Sequence, residues 1–236
     1  MYKCTVISSL YNADKFLPAF INNVLKQSCI KDIQVLLLDA ASTDNTENIC
    51  RKLTHPNISY IRLDKKYTIY ETWNKGLDLA ESPLVCNWNV DDGRFEHSLA
   101  LQIAAFDNVR DHIDVVYGQV IVTNKPNVTN TKGINIKYIQ GLEPTVINFR
   151  GGNPPHNHPM WRKSIHDKIG KFDEQYESAA DYEFWLRCVA NGIKFKRIET
   201  TVGTYFNNPN GISTRPNSKG SSESIKIRER YKNLFQ

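Results

Sequence analysis

The first half of the chain alternates short, unbroken apolar runs with stretches of helical spacing, and that alternation leaves few folds open. Thr5–Ile7, Ile33–Leu38 (IQVLLL), Ile58–Leu63 and Leu84–Trp88 read as strands. Apolar residues at Phe16, Phe20, Val24 and Leu25 predict a helix over Ala13–Lys26. Ser42-Thr43-Asp44-Asn45 supply helix-capping side chains, and with Glu47 in the first turn they predict a second helix to about Leu53. Two more helices are predicted over Ile69–Ala80 and about His97–Val109. Strands that are apolar on both faces need covering on both faces, so the expected fold is α/β, with a Rossmann-like, mostly parallel central sheet between two helical layers. Such sheets bind ligands beyond the carboxyl ends of their strands. Here those ends carry Ser8-Ser9, Asp39, Asp64 and the segment Asn89–Asp92.

After the apolar stretch Val115–Val122 the pattern loosens. Thr123–Thr131 reads as a turn or hairpin, and Arg150–Pro159 as a rigid loop rich in glycine and proline. A helix is predicted over Ala180–Asn191 with Gly192 as its stop, then a strand over Lys194–Thr201. An amphipathic helix is predicted over Ser221–Phe235, with Lys226, Arg228, Arg230 and Lys232 making it basic.

The composition, 40% hydrophobic and 23% charged in 236 residues, is that of a globular chain. A net charge of +5 suits anionic ligands but is within the ordinary range of soluble proteins. Five widely spaced cysteines with no CxxC pair predict free thiols in a reducing compartment. No apolar run approaches the ~20 residues that cross a bilayer. The expected location is therefore cytoplasmic, and the sequons at Asn57 and Asn127 carry no glycosylation argument. No GxGxxG, P-loop or G-x-S-x-G motif is present. LLLDAAST could present Asp39 as a phosphohydrolase nucleophile, but that chemistry wants a second carboxylate where Ala41 stands. His156 and His158 have no nearby Cys partner for zinc. Asp91 and Asp92 offer hard oxygen ligands for a divalent cation, or a solvated turn with Asp92-Gly93 at its corner; taken alone the pair leaves both open.

The order of Val6–Asn12, Leu36–Thr46, Thr68–Gly76, Asn89–Asp92, His158–Arg162, Ile169–Glu174 and Ala180–Arg187 along the chain resembles that of a family 2 glycosyltransferase of GT-A fold. Val6-Ile-Ser-Ser-Leu-Tyr11-Asn12 with Lys15-Phe-Leu17 resembles the family's opening strand and first helix. Leu36-Leu-Leu-Asp39-Ala-Ala-Ser42-Thr43-Asp44-Asn-Thr46 is similar to its VVDDGSTDNT motif, with Ala40-Ala41 in place of Asp-Gly. Thr68-Ile-Tyr70-Glu71-Thr-Trp-Asn74-Lys-Gly76 is similar to the GIYDAMNKG segment of one subgroup, with Thr68 for glycine and Glu71 for aspartate. Asn89-Val90-Asp91-Asp92 resembles that subgroup's N-x-D-D metal motif. His158-Pro-Met-Trp-Arg162, Ile169–Glu174 and Ala180–Arg187 resemble acceptor-side segments.

The resemblance implies an inverting transfer of a sugar from a nucleotide-diphosphate donor, UDP-linked by preference, to a hydroxyl of a glycan or lipid-linked acceptor. Asp181 would be the general base, Asp91 the ligand of Mn²⁺ or Mg²⁺, and Asp92 the partner of the donor sugar. Ser8, Ser9, Tyr11, Asn12, Asp39, Tyr70, Asn74 and Asn89 would bind the nucleotide, and His156, His158 and Arg162 would lie on the acceptor side. The implied organisation is one domain over 1–220, with a donor half to about 110 and an acceptor half beyond it. The basic helix 221–236 is expected to follow it and to touch an anionic membrane surface peripherally. Nucleic acid is not an expected partner. The alternatives are a phosphohydrolase using Asp39, or a non-catalytic protein that binds sugar nucleotides or glycans.

Overall fold

The computed structural model describes residues 1–107, 112–132 and 139–236. Strands β1 (Cys4–Leu10), β2 (Ile33–Asp39), β3 (Ile58–Arg62) and β4 (Leu84–Asn87) alternate with helices α1 (Leu17–Leu25), α2 (Thr46–Cys50) and α3 (Ile69–Leu79), as the periodicity predicts. There follow β5 (Gly93–Arg94), α4 (Ser98–Ala104), β6 (Val115–Thr123), β7 (Ile139–Gln140), α5 (Val146–Gly151), β8 (Met160–Arg162) and α6 (Ile165–Ile169). The chain ends with α7 (Ala180–Ala190), β9 (Phe195–Phe206) and α8 (Gly220–Arg230). The far end of the helix predicted to Val109 lies outside the described residues.

All the strands join one sheet in the order β3-β2-β1-β4-β8-β6-β9-β5, with β7 paired on β6. β1 to β4 are mutually parallel, and β6 and β9 run in the same direction; β5, β7 and β8 run against them. The alternation of side chains along the strands explains the unbroken apolar runs. Val6, Val35 and Leu37 enter the core under α1 with Phe20 and Trp88, whereas Ile7, Leu36 and Leu38 enter the opposite core with Tyr70, Trp73, Trp161 and Trp185. Helix α3 lies very close to β1, because a side chain on Gly76 would stand 2.4 Å from Ile7. Its start is fixed by a capping box: the Glu71 N–H donates to the Thr68 hydroxyl, and the Thr68 N–H to the Glu71 carboxylate at 2.7 Å. Thr68 and Glu71, the two departures from the GIYDAMNKG pattern, therefore act together in the structure.

Several boundaries differ from the periodicity. Helix α1 begins at Leu17, with Pro18 in its first turn where an N–H is not needed. Strand β9 runs to Phe206, past the expected Thr201, because its second half pairs with both β6 and the short β5. Helix α8 rests on α7, burying Ile227 completely, and its tail finishes as a 3₁₀ turn, Lys232–Phe235. Among the described residues no helix is long and apolar enough to cross a membrane.

Ala41 adopts φ 56°, a left-handed conformation that a β-carbon disfavours by about 1–2 kcal/mol. Ala41→Gly removes that strain at the cost of glycine's greater unfolded-state freedom. The expected outcome in a urea titration is a gain of roughly 0.5–1 kcal/mol in unfolding free energy.

Candidate active site

A cleft of about 1170 Å³ opens beyond the carboxyl ends of β1 and β4. Three carboxylates lie at or under its floor. After β4, Asn89–Asp92 make a tight turn in which the Asp92 N–H bonds the Asn89 carbonyl at 3.1 Å and the Trp88 indole donates to the Asp92 carbonyl. Gly93 follows because the Val128 carbonyl passes where its side chain would be, 1.9 Å from a β-carbon. This close approach, rather than a solvated corner, explains the Asp-Gly pair. Asp91 lines the cleft and accepts from the Asn208 amide at 3.1 Å. Asp92 points the other way. It is 1% exposed and accepts from the Phe206 N–H and the Asn157 amide, both at 2.8 Å, and from the Asn89 amide at 3.2 Å. Burial and the neighbouring Asp91 push its carboxyl up to about 7, and burial also raises Asp91.

The third carboxylate, Asp181, stands in the first turn of α7. Tyr70 donates its hydroxyl to one oxygen at 3.1 Å, and the Asn153 amide donates to the other at 2.8 Å. Burial raises its pKa, against the lowering effect of the Tyr182 N–H, Tyr70 and Asn153. Among the described residues none of the three acids makes a salt bridge.

The structure brings Ser9, Tyr11, Asn12, Tyr70, Asn89, Asp91, His156 and Asp181 together around this cleft. It does not bring the other expected residues there. Asp39 is fully buried, with one oxygen bonded by the Ser42 N–H and the other by the Tyr60 hydroxyl at 2.7 Å and Arg62 at 3.0 Å. It organises the loop that holds Asn12, whose side-chain oxygen accepts from the Thr43 N–H, and it does not line the cleft. Ser8 is buried within β1. Asn74 ties α3 to the Phe172–Glu174 segment, donating to the Phe172 carbonyl and the Glu174 carboxylate and accepting from the Phe172 N–H. Asp92 lies beneath the cleft rather than in it. His158 is fully buried against the Thr204 carbonyl and is kept neutral by burial. Arg162 bonds the Ile113 carbonyl and lies over Phe106, away from the cleft.

Sequence reasoning weighed the histidines of the Arg150–Pro159 loop and passed over its asparagines. Yet Asn153 reaches Asp181 and Asn157 reaches Asp92. The turn after β9 likewise supplies Asn208 to Asp91. The one available signal was the density of Asn beside Gly and Pro in both segments. Also missed was Glu223 of α8, 8% exposed, whose carboxylate accepts from the backbone N–H groups of Glu177, Ser178 and Ala179 at 2.8–3.0 Å. It pins the chain immediately before Asp181.

A sequence model of the family described as Glycosyl transferase family 2 matches residues 5–171. The chain belongs to glycosyl transferase family 2. It is 26% identical over 212 residues to a PGL/p-HBAD biosynthesis glycosyltransferase of Mycobacterium tuberculosis, covering 89% of this chain and 78% of that protein. Among solved structures it is similar to S. aureus TarS 1–349 in complex with UDP, with a TM-score of 0.71 and 21% identity over 97% of this chain. The chain spans 65% of the length of that TarS fragment. Mannosyltransferase PcManGT from Pyrobaculum calidifontis, in complex with GDP-Man and Mn²⁺, is similar with a TM-score of 0.66 and 16% identity, over 89% of this chain and 59% of that one. These likenesses establish the GT-A fold.

Glu223→Ala would leave three backbone donors without their buried acceptor, and a urea titration is expected to show a loss of roughly 2 kcal/mol. Glu223→Gln, which keeps an accepting oxygen, is expected to lose less.

Proposed function

We propose that this glycosyltransferase moves one sugar from a nucleotide-diphosphate donor to an acceptor hydroxyl with inversion, Asp181 serving as general base and Asp91 as metal ligand. The observation that carries this reading is that Asp91 and Asp181 face one cleft, each held by neutral hydrogen-bond donors and neither, among the described residues, in a salt bridge. Among the described residues no group of three or more His, Cys, Asp or Glu side chains surrounds a metal position. A divalent ion would therefore rest on Asp91 and on oxygens of the donor's own diphosphate, a division that suits a hard cation with open positions. When bound, Mn²⁺ or Mg²⁺ would offset the negative charge that gathers on the departing diphosphate. The complex of PcManGT with GDP-Man and Mn²⁺ supports this assignment.

The protein's own residues supply the rest. Asn89 and Asn208 hold the Asp91 turn, and Ser9, Tyr11 and Asn12 line the nucleotide end of the cleft. Asp181 takes the acceptor proton as the hydroxyl oxygen attacks the anomeric carbon opposite the diphosphate, a contribution of about 10²–10⁴-fold. TarS in complex with UDP and with UDP-GlcNAc supports a UDP-linked donor. On the acceptor side Ile212 and Ile225 are 38% and 62% exposed at the cleft mouth, near Arg228. An apolar lip beside a cation supports a lipid-linked acceptor.

A thermal-shift screen of UDP-, GDP- and dTDP-sugars, with and without Mn²⁺, is expected to show stabilisation by one donor that is enhanced by the metal. No shift with any donor in either condition would overturn the reading. With the responding donor, Asp181→Asn is expected to lower the rate of nucleotide release by about 10²–10⁴-fold while nucleotide affinity stays unchanged.

A further inference from the structure

Tyr70 sits at the start of α3, where the resemblance implies a nucleotide ligand. Its geometry is of another kind. Although it borders the cleft, the side chain is only 3% exposed, with the ring packed edge-on to Trp73 at 5.2 Å and against Phe172 at 6.1 Å. The capping box at Thr68 and Glu71 fixes the helix turn that carries it. Its hydroxyl proton is committed to Asp181 Oδ1. On the other oxygen Asn153 is equally constrained, since its own amide oxygen accepts from the His156 N–H at 3.2 Å, which leaves the NH₂ aimed at Asp181 Oδ2. A donor on each oxygen fixes the plane of the carboxylate and favours its ionised form.

We propose that Tyr70 is a positioning residue for Asp181, working with Asn153 to hold the base in the orientation and charge state that proton abstraction requires, and is not a ligand of the nucleotide. This inference rests on the assignment of Asp181 as the base. Burial and the Asp181 charge keep the phenol protonated well above its usual range, so it remains a donor at every working pH. The other titratable groups around Asp181 are His156 on the loop, Tyr205 at the end of β9, Glu177 and Tyr182 flanking it in sequence, and Glu223 and Arg228 of α8. Burial lowers the pKa of His156. None of them hydrogen-bonds the Asp181 carboxylate through its side chain, so the two donors named are the ones whose removal should move its titration.

The test is a carbon-13 NMR titration of aspartate carboxyl groups in the full chain, with Asp181 identified by the loss of its signal in Asp181→Asn. In Tyr70→Phe the Asp181 midpoint is expected to move upward, because a donor to the ionised form is lost while the apolar ring stays. Asn153→Ala is expected to move it the same way and serves if Tyr70→Phe folds poorly. UDP affinity, measured by calorimetry with Mn²⁺, is expected to be unchanged in Tyr70→Phe. Given a turning-over donor, the acid limb of the pH–rate profile is expected to follow the midpoint upward, with kcat falling and donor KM held. Weakened UDP binding with an unmoved Asp181 midpoint would make Tyr70 a nucleotide ligand and overturn the proposal. No change in either quantity would also overturn it, leaving a packing role alone. The NMR titration needs no substrate, so a failure of the glycosyl-transfer reading would show separately, as absent turnover beside a measurable shift.

Discussion

Asp91, Asp92 and Asp181, at or under the cleft floor, are each held by neutral donors, and much of the structure serves that arrangement. Asp91 is held by an Asn amide, Asp92 by two Asn amides and a backbone N–H, and Asp181 by a tyrosine hydroxyl and an Asn amide. A neutral donor orients a carboxylate without cancelling its charge. Burial then raises the cost of that charge, which is why all three acids are shifted upward. Asp39 shows the opposite solution within the same sheet. Its partner is Arg62 at 3.0 Å, its charge is compensated, and it anchors a loop. An acid with a cationic partner has its electrostatics settled within the fold. An acid with amide partners and a cleft in front of it is available to a metal ion or to an acceptor proton.

Keeping three such groups in place draws on parts of the chain far apart in sequence. The extension of β9 brings Phe206 and Asn208 across to the Asp91–Asp92 turn, and Gly93 allows the Val128 carbonyl to pass beside it. The loop between α5 and β8 reaches both sides of the cleft at once, with Asn153 on Asp181 and Asn157 on Asp92. Helix α8 is buried through Ile227 and pins the backbone ahead of Asp181 through Glu223. The family match ends at residue 171, so Asp181, the β9 extension and α8 all lie beyond it.

This division explains what could be read from the chain without a structure. β1 to β4 and the helices between them were legible because an apolar run covered on both faces leaves a pattern in the residues themselves. That Asp91 and Asp181 share one cleft was legible through motif order. Ser8, Asp39, Asn74, Asp92, His158 and Arg162 do not line the cleft, which motif order could not show, because a motif position does not say on which side of the backbone a side chain emerges or what already occupies it. Asp39 meets Tyr60 and Arg62 only through the pairing of β2 with β3. The holding asparagines were missed for a related reason. Asn in a Gly- and Pro-rich segment reads as loop composition, and its aim toward an acid some 28 or 65 residues away in sequence is a property of tertiary packing alone.

On the proposed function, Asp91 is held by an amide and makes no salt bridge among the described residues, so that a cation can complete the site with the donor's diphosphate. The most direct measurement is an electron paramagnetic resonance titration of free Mn²⁺ with UDP, with and without the protein. The wild-type chain is expected to remove free Mn²⁺ beyond what UDP alone removes, Asp91→Asn is expected not to, and Asp181→Asn is expected to behave like wild type. Mn²⁺ uptake by Asp91→Asn equal to that of the wild-type chain, or none by the wild-type chain, would contradict this role for Asp91.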